Sequence, residues 1–453
     1  MALAATIEWE VRTTGTASNV NGGGYKPGSS GSDFSQQNAA QYDLTGVTTA
    51  AADAILLSAS AAADMVGNIA HINSGTNFTV GWYEIISVVV GTSITLDRTC
   101  TTAAGSAGAV KIGGALNFGA LDDALFETME PGNTVHIKSG TYTMSAISLV
   151  KDGTAALPIN IRGYNTSRND NPAFGSQPTL AFAGNASTFG DYFDVRNITV
   201  TTTAASGLAS GTGSILHNCK STNSSATAGR YALAGTTALD GIRIIRCEGV
   251  STNGYAAAMA GSNSGNSVIG CYLHDSDVGV FTNTGDANII SFNIIDTCAT
   301  GISLGSISNH NVFENNTLYG AATPAGTGIL LAATTGINNT FMNNIIYGFT
   351  TGVNSNTAVG NNFYNYNNIF NCTTPRTNVT AGPNDTALDP QFTDAPNGNF
   401  TVGANMKAIG FPGAFPGGLT TGYLDIGAVQ RVEPTGGSGG GARILGAGIV
   451  SGG

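Results

Sequence analysis

The chain has 453 residues, of which only 10% are charged and 63 are glycine, with 42% hydrophobic side chains and a formal net charge of −11. So few charges exclude a helical bundle with solvated faces, since ordinary soluble domains carry about 25%. The apolar fraction excludes wholesale disorder, and the glycines follow no G-X-Y period, which excludes collagen. Seventeen basic against 28 acidic residues leave too little material for a phosphate-tracking surface, so no nucleic-acid partner is expected.

No stretch reaches the ~18 apolar residues of a membrane span. The opening Met1 to Glu10 has no basic segment and meets Glu8 before any apolar run, so no signal peptide is expected. Residues 1–115 read as a small β-rich domain: Ile7 to Arg12 is a strand, and Trp82 to Val88 and Ser93 to Asp97 flank Gly91-Thr92 as a hairpin. Leu121 to Met129 has apolar residues at helical spacing and ends at Pro131-Gly132, which predicts a short capping helix. Strands follow at Thr134 to Ile137 and Gly140 to Thr143.

A search at fixed intervals is the most informative step, because repeats of 20 to 50 residues mark solenoids. Cys219, Cys247, Cys271, Asn293, Asn316, Asn344 and Asn368 fall in one column with steps of 28, 24, 22, 23, 28 and 24. Apolar columns stand three residues before it (Ile244, Val268, Ile290, Phe313, Phe341) and two after it (Leu273, Ile295, Leu318, Ile346, Phe370). Five residues separate them, an odd interval that a straight strand would split between its faces, so a bend lies between. Asn tolerates the left-handed backbone of such a bend, and amides stacked at ~4.8 Å can bond up and down the stack. Gly279, Gly301, Gly328 and Gly352 form a second column, read as a turn before the next strand. Three short strands and three turns use this many residues. The expected fold is all-β: a right-handed parallel β-helix over residues 116–380, with a closing segment at 381–433 and a Gly-rich tail with an apolar end at 434–453.

Pro131 to Tyr142, Leu157 to Tyr164, and near the end Asp389 to Phe392, Gly398 to Val402 and Asp425 to Ala428 resemble the opening, next rung and closing segment of the pectin-lyase-like β-helix proteins. That superfamily includes lyases, hydrolases, adhesins and phage tailspikes, so the resemblance implies fold rather than activity. Residues 7–116 are similar to the leading domain of phage-encoded β-helix proteins, which implies attachment to a virion.

Lyases on this fold abstract a proton with Lys or Arg, and glycosidases use Asp residues across neighbouring coils. Between Ile198 and Phe370 the basic residues are Lys220, Arg230, Arg243 and Arg246, a sparse set that counts against a lyase. Lys220 could face a groove as a base, or simply be a solvated turn lysine. The best carboxylate cluster is Asp275, Asp277 and Asp296 with His274 beside them, placed to converge on adjacent coils as a glycosidase pair or a Ca²⁺ site, against the bland reading that Asp caps turns. Tyr319 and Tyr347, each three residues after its Asn, are a possible glycan contact or plain packing. Spacings of 28 and 24 exclude a CxxC zinc pattern, and the six cysteines read as buried thiols. No metal and no cofactor are expected.

The reading that joins a β-helix to the absent export signal is a phage virion structural protein: a tail fibre, spike or capsid-attached appendage. It would be a homotrimer, bound to other virion proteins through residues 1–115 or the C-terminal tail and touching host surface glycan. The alternatives are a polysaccharide lyase or glycosidase on the Asp275 region, and a non-viral surface adhesin. Ile444 to Val450, apolar on a Gly linker, is expected to dock on another subunit or on the virion.

Overall fold

In a computed structural model, the chain is described over residues 8–16, 42–66, 69–113, 129–144, 147–148, 151–166, 168–183, 187–203, 206–235, 240–259, 264–305, 308–320, 325–332, 336–356, 361–407, 409–410, 425–430 and 443–444. They fall into two compact units, Met1–Ala183 with Phe189–Thr199, and Gly184–Thr188 with Val200–Gly453. The expected capping helix lies outside the described residues except for Met129, which is buried.

In the first unit, alternating strands such as Ser93–Leu96 turn Ile94 and Leu96 inward and close a six-stranded antiparallel barrel. Its strands in spatial order are Tyr42–Thr49, Ile55–Leu57, Ser93–Leu96, Gly81–Val89, Ile69–Phe78 and Thr101–Ile112, around a core of Leu44, Leu56, Ile72, Ile85 and Val110. Closure leaves no unpaired strand edge. The tip between Gly81–Val89 and Ser93–Leu96 turns through Gly91 at φ +70°.

Glu8–Thr16 is not part of that barrel. It pairs in parallel with Thr134–Lys138, which pairs with Ile159–Tyr164, which pairs with Phe193–Arg196. Trp9, Val135 and Ile161 stand in one buried row across these strands. Glu10, facing the other way, is fully buried and held by Arg12 at 2.8 Å and Arg168 at 2.7 Å. A buried carboxylate needs such partners to remain charged.

The second unit is a parallel β-helix whose every coil contributes one short strand to each of three sheets. The first sheet runs from Ile215–His217 to Phe363–Asn365, the second from Lys220–Asn223 to Asn368–Phe370, and the third from Leu208–Ser210 to Thr374–Thr377. Equivalent positions stack in register, so the interior is built of columns: Leu273, Ile295, Leu318, Ile346 and Ile369, and the parallel-stacked rings of Phe313, Phe341 and Tyr364 at 4.8 Å between centroids. Ile369, not Phe370, completes the first of these.

Between the first and second sheets, Asn293 Nδ2 donates to Asn316 Oδ1 (3.0 Å), Asn316 Nδ2 to Asn344 Oδ1 (3.0 Å), and Asn344 Nδ2 to Asn367 Oδ1 (3.0 Å). Asn367 therefore holds the position assigned by spacing to Asn368. Asn368 begins the next strand, where its amide donates to the Leu388 carbonyl and accepts from Thr386. The left-handed residue of the bend is also not the column residue but the one before it: Asn218, Arg246, Phe292, Asn315, Asn343 and Tyr366 all have φ between +52° and +57°. The column side chain instead bridges the rungs, and the buried carboxylate of Asp385 accepts from both Asn367 nitrogens at the end of the ladder. Cys219, Cys247 and Cys271 continue the column as buried free thiols.

A second amide ladder lies five residues upstream, through Asn266, Asn288, Asn311, Asn339 and Asn362, each accepting from the backbone N–H of the preceding rung's residue. The glycine column also differs from its reading as a turn. Gly301 lies inside strand Thr300–Leu304, and a Cβ there would stand 2.6 Å from the Gly328 carbonyl oxygen, so close approach of stacked backbones demands it.

The closing segment folds back on the outer face of the second sheet. Phe400, Ala428 and Val429 cover Ile294 and Tyr319, while Val402, Met406 and Ile426 cover Ile345. Of the expected docking tail, Arg443–Ile444 pairs antiparallel with Val429–Gln430 of the same chain, and residues 445–453 lie outside the described residues. No helix among the described residues is long and apolar enough to cross a membrane.

Candidate functional site

On the second sheet, alternate residues point outward, and register aligns them into two rows. One row runs Lys220, Glu248, Tyr272, Ile294, Thr317, Ile345; the other runs Val250, His274, Asp296, Tyr319, Tyr347. The closing segment covers the apolar end of both rows. What remains is a polar strip.

Within it, Lys220 Nζ meets Glu248 Oε1 at 2.6 Å, and His274 lies between Glu248 (Nε2 to Oε1, 3.4 Å) and Asp275 (Nδ1 to Oδ2, 2.7 Å). Tyr272 stacks on the His274 ring at 4.2 Å and donates its hydroxyl to Asp296 Oδ2 at 3.0 Å. Asp275 sits in the turn at φ +48° and accepts from the Thr297 hydroxyl at 3.0 Å. Asp296 is only 8% exposed, and its Oδ1 is buried with no hydrogen-bond partner.

These surroundings divide the carboxyl groups. Burial pushes Asp296 up to about 6, only partly offset by the Tyr272 hydroxyl and His274. Burial would also raise Glu248, but His274 and Lys220 outweigh it and hold that carboxyl below its ordinary range. Asp275 is likewise held down, by His274 and Thr297 against a burial effect of opposite sign. His274 is lowered by burial yet raised overall by Glu248 and Asp275. Near pH 5 the strip thus holds a protonated Asp296 with an ionised Asp275 one coil before it and an ionised Glu248 two coils before it, a split of protonation states suited to acid–base work.

His274 and Asp275 come together, and Asp296 joins them through Tyr272. Asp277 does not: it is exposed on the turn, where its backbone carbonyl accepts from the Thr300 N–H. Lys220 is the charge partner of Glu248 rather than an unengaged base. Spacing alone missed Glu248 and Tyr272, although the 24-residue step from 248 to 272 carries the same register as 250 to 274. Tyr319 and Tyr347 stack on each other at 5.2 Å, but Phe392 and Phe400 abut their rings and Tyr319 is 7% exposed, so the pair is packing beneath the closing segment rather than a sugar platform. Burial pushes the Cys247 thiol well up, which keeps it from acting as a nucleophile. Among the described residues, no group of three or more His, Cys, Asp or Glu side chains is placed to hold a metal ion.

Residues 190–370 match the family model described as right handed beta helix region. No curated protein matches the sequence. Among solved structures, the chain is similar to a pectate lyase (15% identity, TM-score 0.44, covering 69% of this chain and 90% of that one). It is also similar to the A-module of a mannuronan C-5 epimerase from Azotobacter vinelandii (13%, TM-score 0.34, covering 56% and 89%) and to the tailspike protein of Pseudomonas phage LKA1 (12%, TM-score 0.25, covering 77% and 64%). The family match and the three stacked parallel sheets agree on the fold, a right-handed parallel β-helix, which by itself fixes no activity.

Proposed function

We propose that the chain is a phage virion structural protein, a fibre, spike or capsid-attached appendage, in which the barrel attaches to other virion proteins and the β-helix meets host surface glycan. The observation that carries this reading is the outer wall of the barrel. Thr48, Leu57, Ser93 and Val89 form one outward row across four strands, and Ile55, Thr95 and Ser87 form another, with no charge in either. Leu57 and Val89 are 48% and 60% exposed, and Ile86 and Val90 flank them in the open. An uncharged wall of exposed aliphatic and hydroxyl side chains is the kind of surface that can be buried in an interface without stranding a charge. Three copies side by side complete the proposal, because flat faces of low charge can meet without burying unpaired ions.

The paired substitution Leu57→Asp with Val89→Asp tests it by complementation of particles lacking the chain. Both side chains point outward, so the melting temperature should stay within about 2 °C, while incorporation should fall to a few per cent of wild type, since each charge would enter an apolar contact unpaired. Full incorporation of the double variant contradicts the attachment role.

The split between Asp296 and Glu248 favours a second reading, a glycan-cleaving β-helix with Asp296 as general acid. New reducing ends released from host glycan by wild-type protein, and lost at least ~100-fold in Asp296→Asn, are what that reading requires. Release at an equal rate by the variant would exclude Asp296 from the chemistry.

A further inference from the structure

At the C-terminal end of the second unit, away from the strip, lies an open groove of about 420 Å³, within the range of small-ligand sites. Its lining includes Asn361, Phe363, Asn378, Thr380 and Gly382, and none of its lining residues is charged. Three features make it more than a gap between turns. Phe363 stands on the outward side of its strand with 47% of its surface exposed, whereas the neighbouring Tyr364 continues the interior ring stack. Asn361 and Asn378 are both held in the left-handed region, at φ +70° and +55°, placing two amides at the rim. Asn378 spends its Nδ2 on the Ser355 carbonyl at 2.9 Å, while the exposed side chain of Asn361 has no hydrogen bond among the described residues.

The floor is fixed. A Cβ on Gly382 would stand 1.9 Å from the Tyr364 carbonyl oxygen, so only glycine lets the 378–383 segment lie this close to the last coil. Next to it, Asp385 accepts from the Gly382 N–H at 2.8 Å and pairs with Arg376 at 2.8 Å, so these neighbouring charges are matched to each other.

From an exposed aromatic ring beside amides and a hydroxyl, on a rigid floor without charge, we infer that this groove is a binding subsite for an uncharged sugar, with Phe363 as the ring on which the pyranose stacks. An aromatic face takes the apolar face of a sugar, and amides and hydroxyls take its hydroxyl groups. An anionic uronate would find no cation here and would lose hydration for no partner. The site extends the glycan contact proposed above to a second place on the β-helix, and rests on that reading only for its biological use.

The test is titration of the full chain, by saturation-transfer NMR and calorimetry, with cellotetraose, maltotetraose, mannotetraose, chitotetraose and tetragalacturonate. Wild type should bind at least one of the four neutral oligosaccharides and not tetragalacturonate. Phe363→Ala, at an exposed position, should keep the melting temperature and weaken that binding about tenfold. Tyr272→Ala, in the polar strip, should leave it unchanged. The inference falls if no neutral oligosaccharide binds, if binding survives Phe363→Ala, or if tetragalacturonate binds as tightly. Binding lost in Tyr272→Ala but kept in Phe363→Ala would move the contact to the strip, overturning this subsite while leaving the glycan reading intact.

Discussion

Replacing Asn316 by leucine should lower the stability of the β-helix by about 3 to 5 kcal/mol, read as a fall in the urea midpoint at unchanged slope. The amide is fully buried and makes four bonds: its Nδ2 donates to the Ile290 carbonyl (2.9 Å) and Asn344 Oδ1 (3.0 Å), and its Oδ1 accepts from the backbone N–H (3.1 Å) and Nδ2 (3.0 Å) of Asn293. Leucine keeps the branched outline but is bulkier and supplies none of these bonds, so groups on the rungs before and after lose partners where water cannot replace them. Leaving buried donors and acceptors unpaired costs more than the mean worth of the bonds themselves. A midpoint equal to wild type would mean that the stacked backbones alone hold the coils.

Asp296→Asn should act in the opposite direction, and only at higher pH. Burial raises this carboxyl from its ordinary 3.8 to about 6 in the folded chain, so the folded state holds the proton more tightly than the unfolded state. Below pH ~3 both states are protonated and the residue carries no penalty; as pH rises to about 6 and beyond, ionising it in its buried place costs up to ~3 kcal/mol. The amide removes that charge while its Oδ1 can still accept from Tyr272. Thermal melts should therefore show the variant more stable than wild type by ~1 to 3 kcal/mol at pH 8, with the gain shrinking to about 0.5 kcal/mol or less at pH 4. The same gain at both pH values would rule out burial of the charge as its source. A residue kept at a cost to stability in a polar, partly open strip fits a site selected for function.

The columns were legible in the sequence because a β-helix repeats its contacts at the spacing of its coils, so one misjudged coil does not spoil the rest. Where the reading slipped, the reasons are local. In Asn315-Asn316 and Asn343-Asn344 the first residue takes the left-handed bend and the second bridges the rungs, but in Tyr366-Asn367-Asn368 an aromatic takes the bend and the doublet moves one place on. Gly301 was visible as a repeat, but only three-dimensional stacking distinguishes a turn glycine from one demanded by a carbonyl on the next coil. His274, Asp275 and Asp296 were found from their offsets to the column. Glu248 and Tyr272 were not, because their roles depend on side chains crossing between rungs. The covering of Tyr319 and Tyr347 by Phe392 and Phe400 comes from residues 45 to 81 positions away and leaves no local trace.

The central claim, that this β-helix is carried on a virion, is tested most directly by mass spectrometry of gradient-purified particles from the host lysate. The account predicts peptides from both the barrel and the β-helix in the particle band, at a stoichiometry divisible by three and retained after a high-salt wash. Peptides confined to the soluble fraction, with none in the particle band, would contradict it.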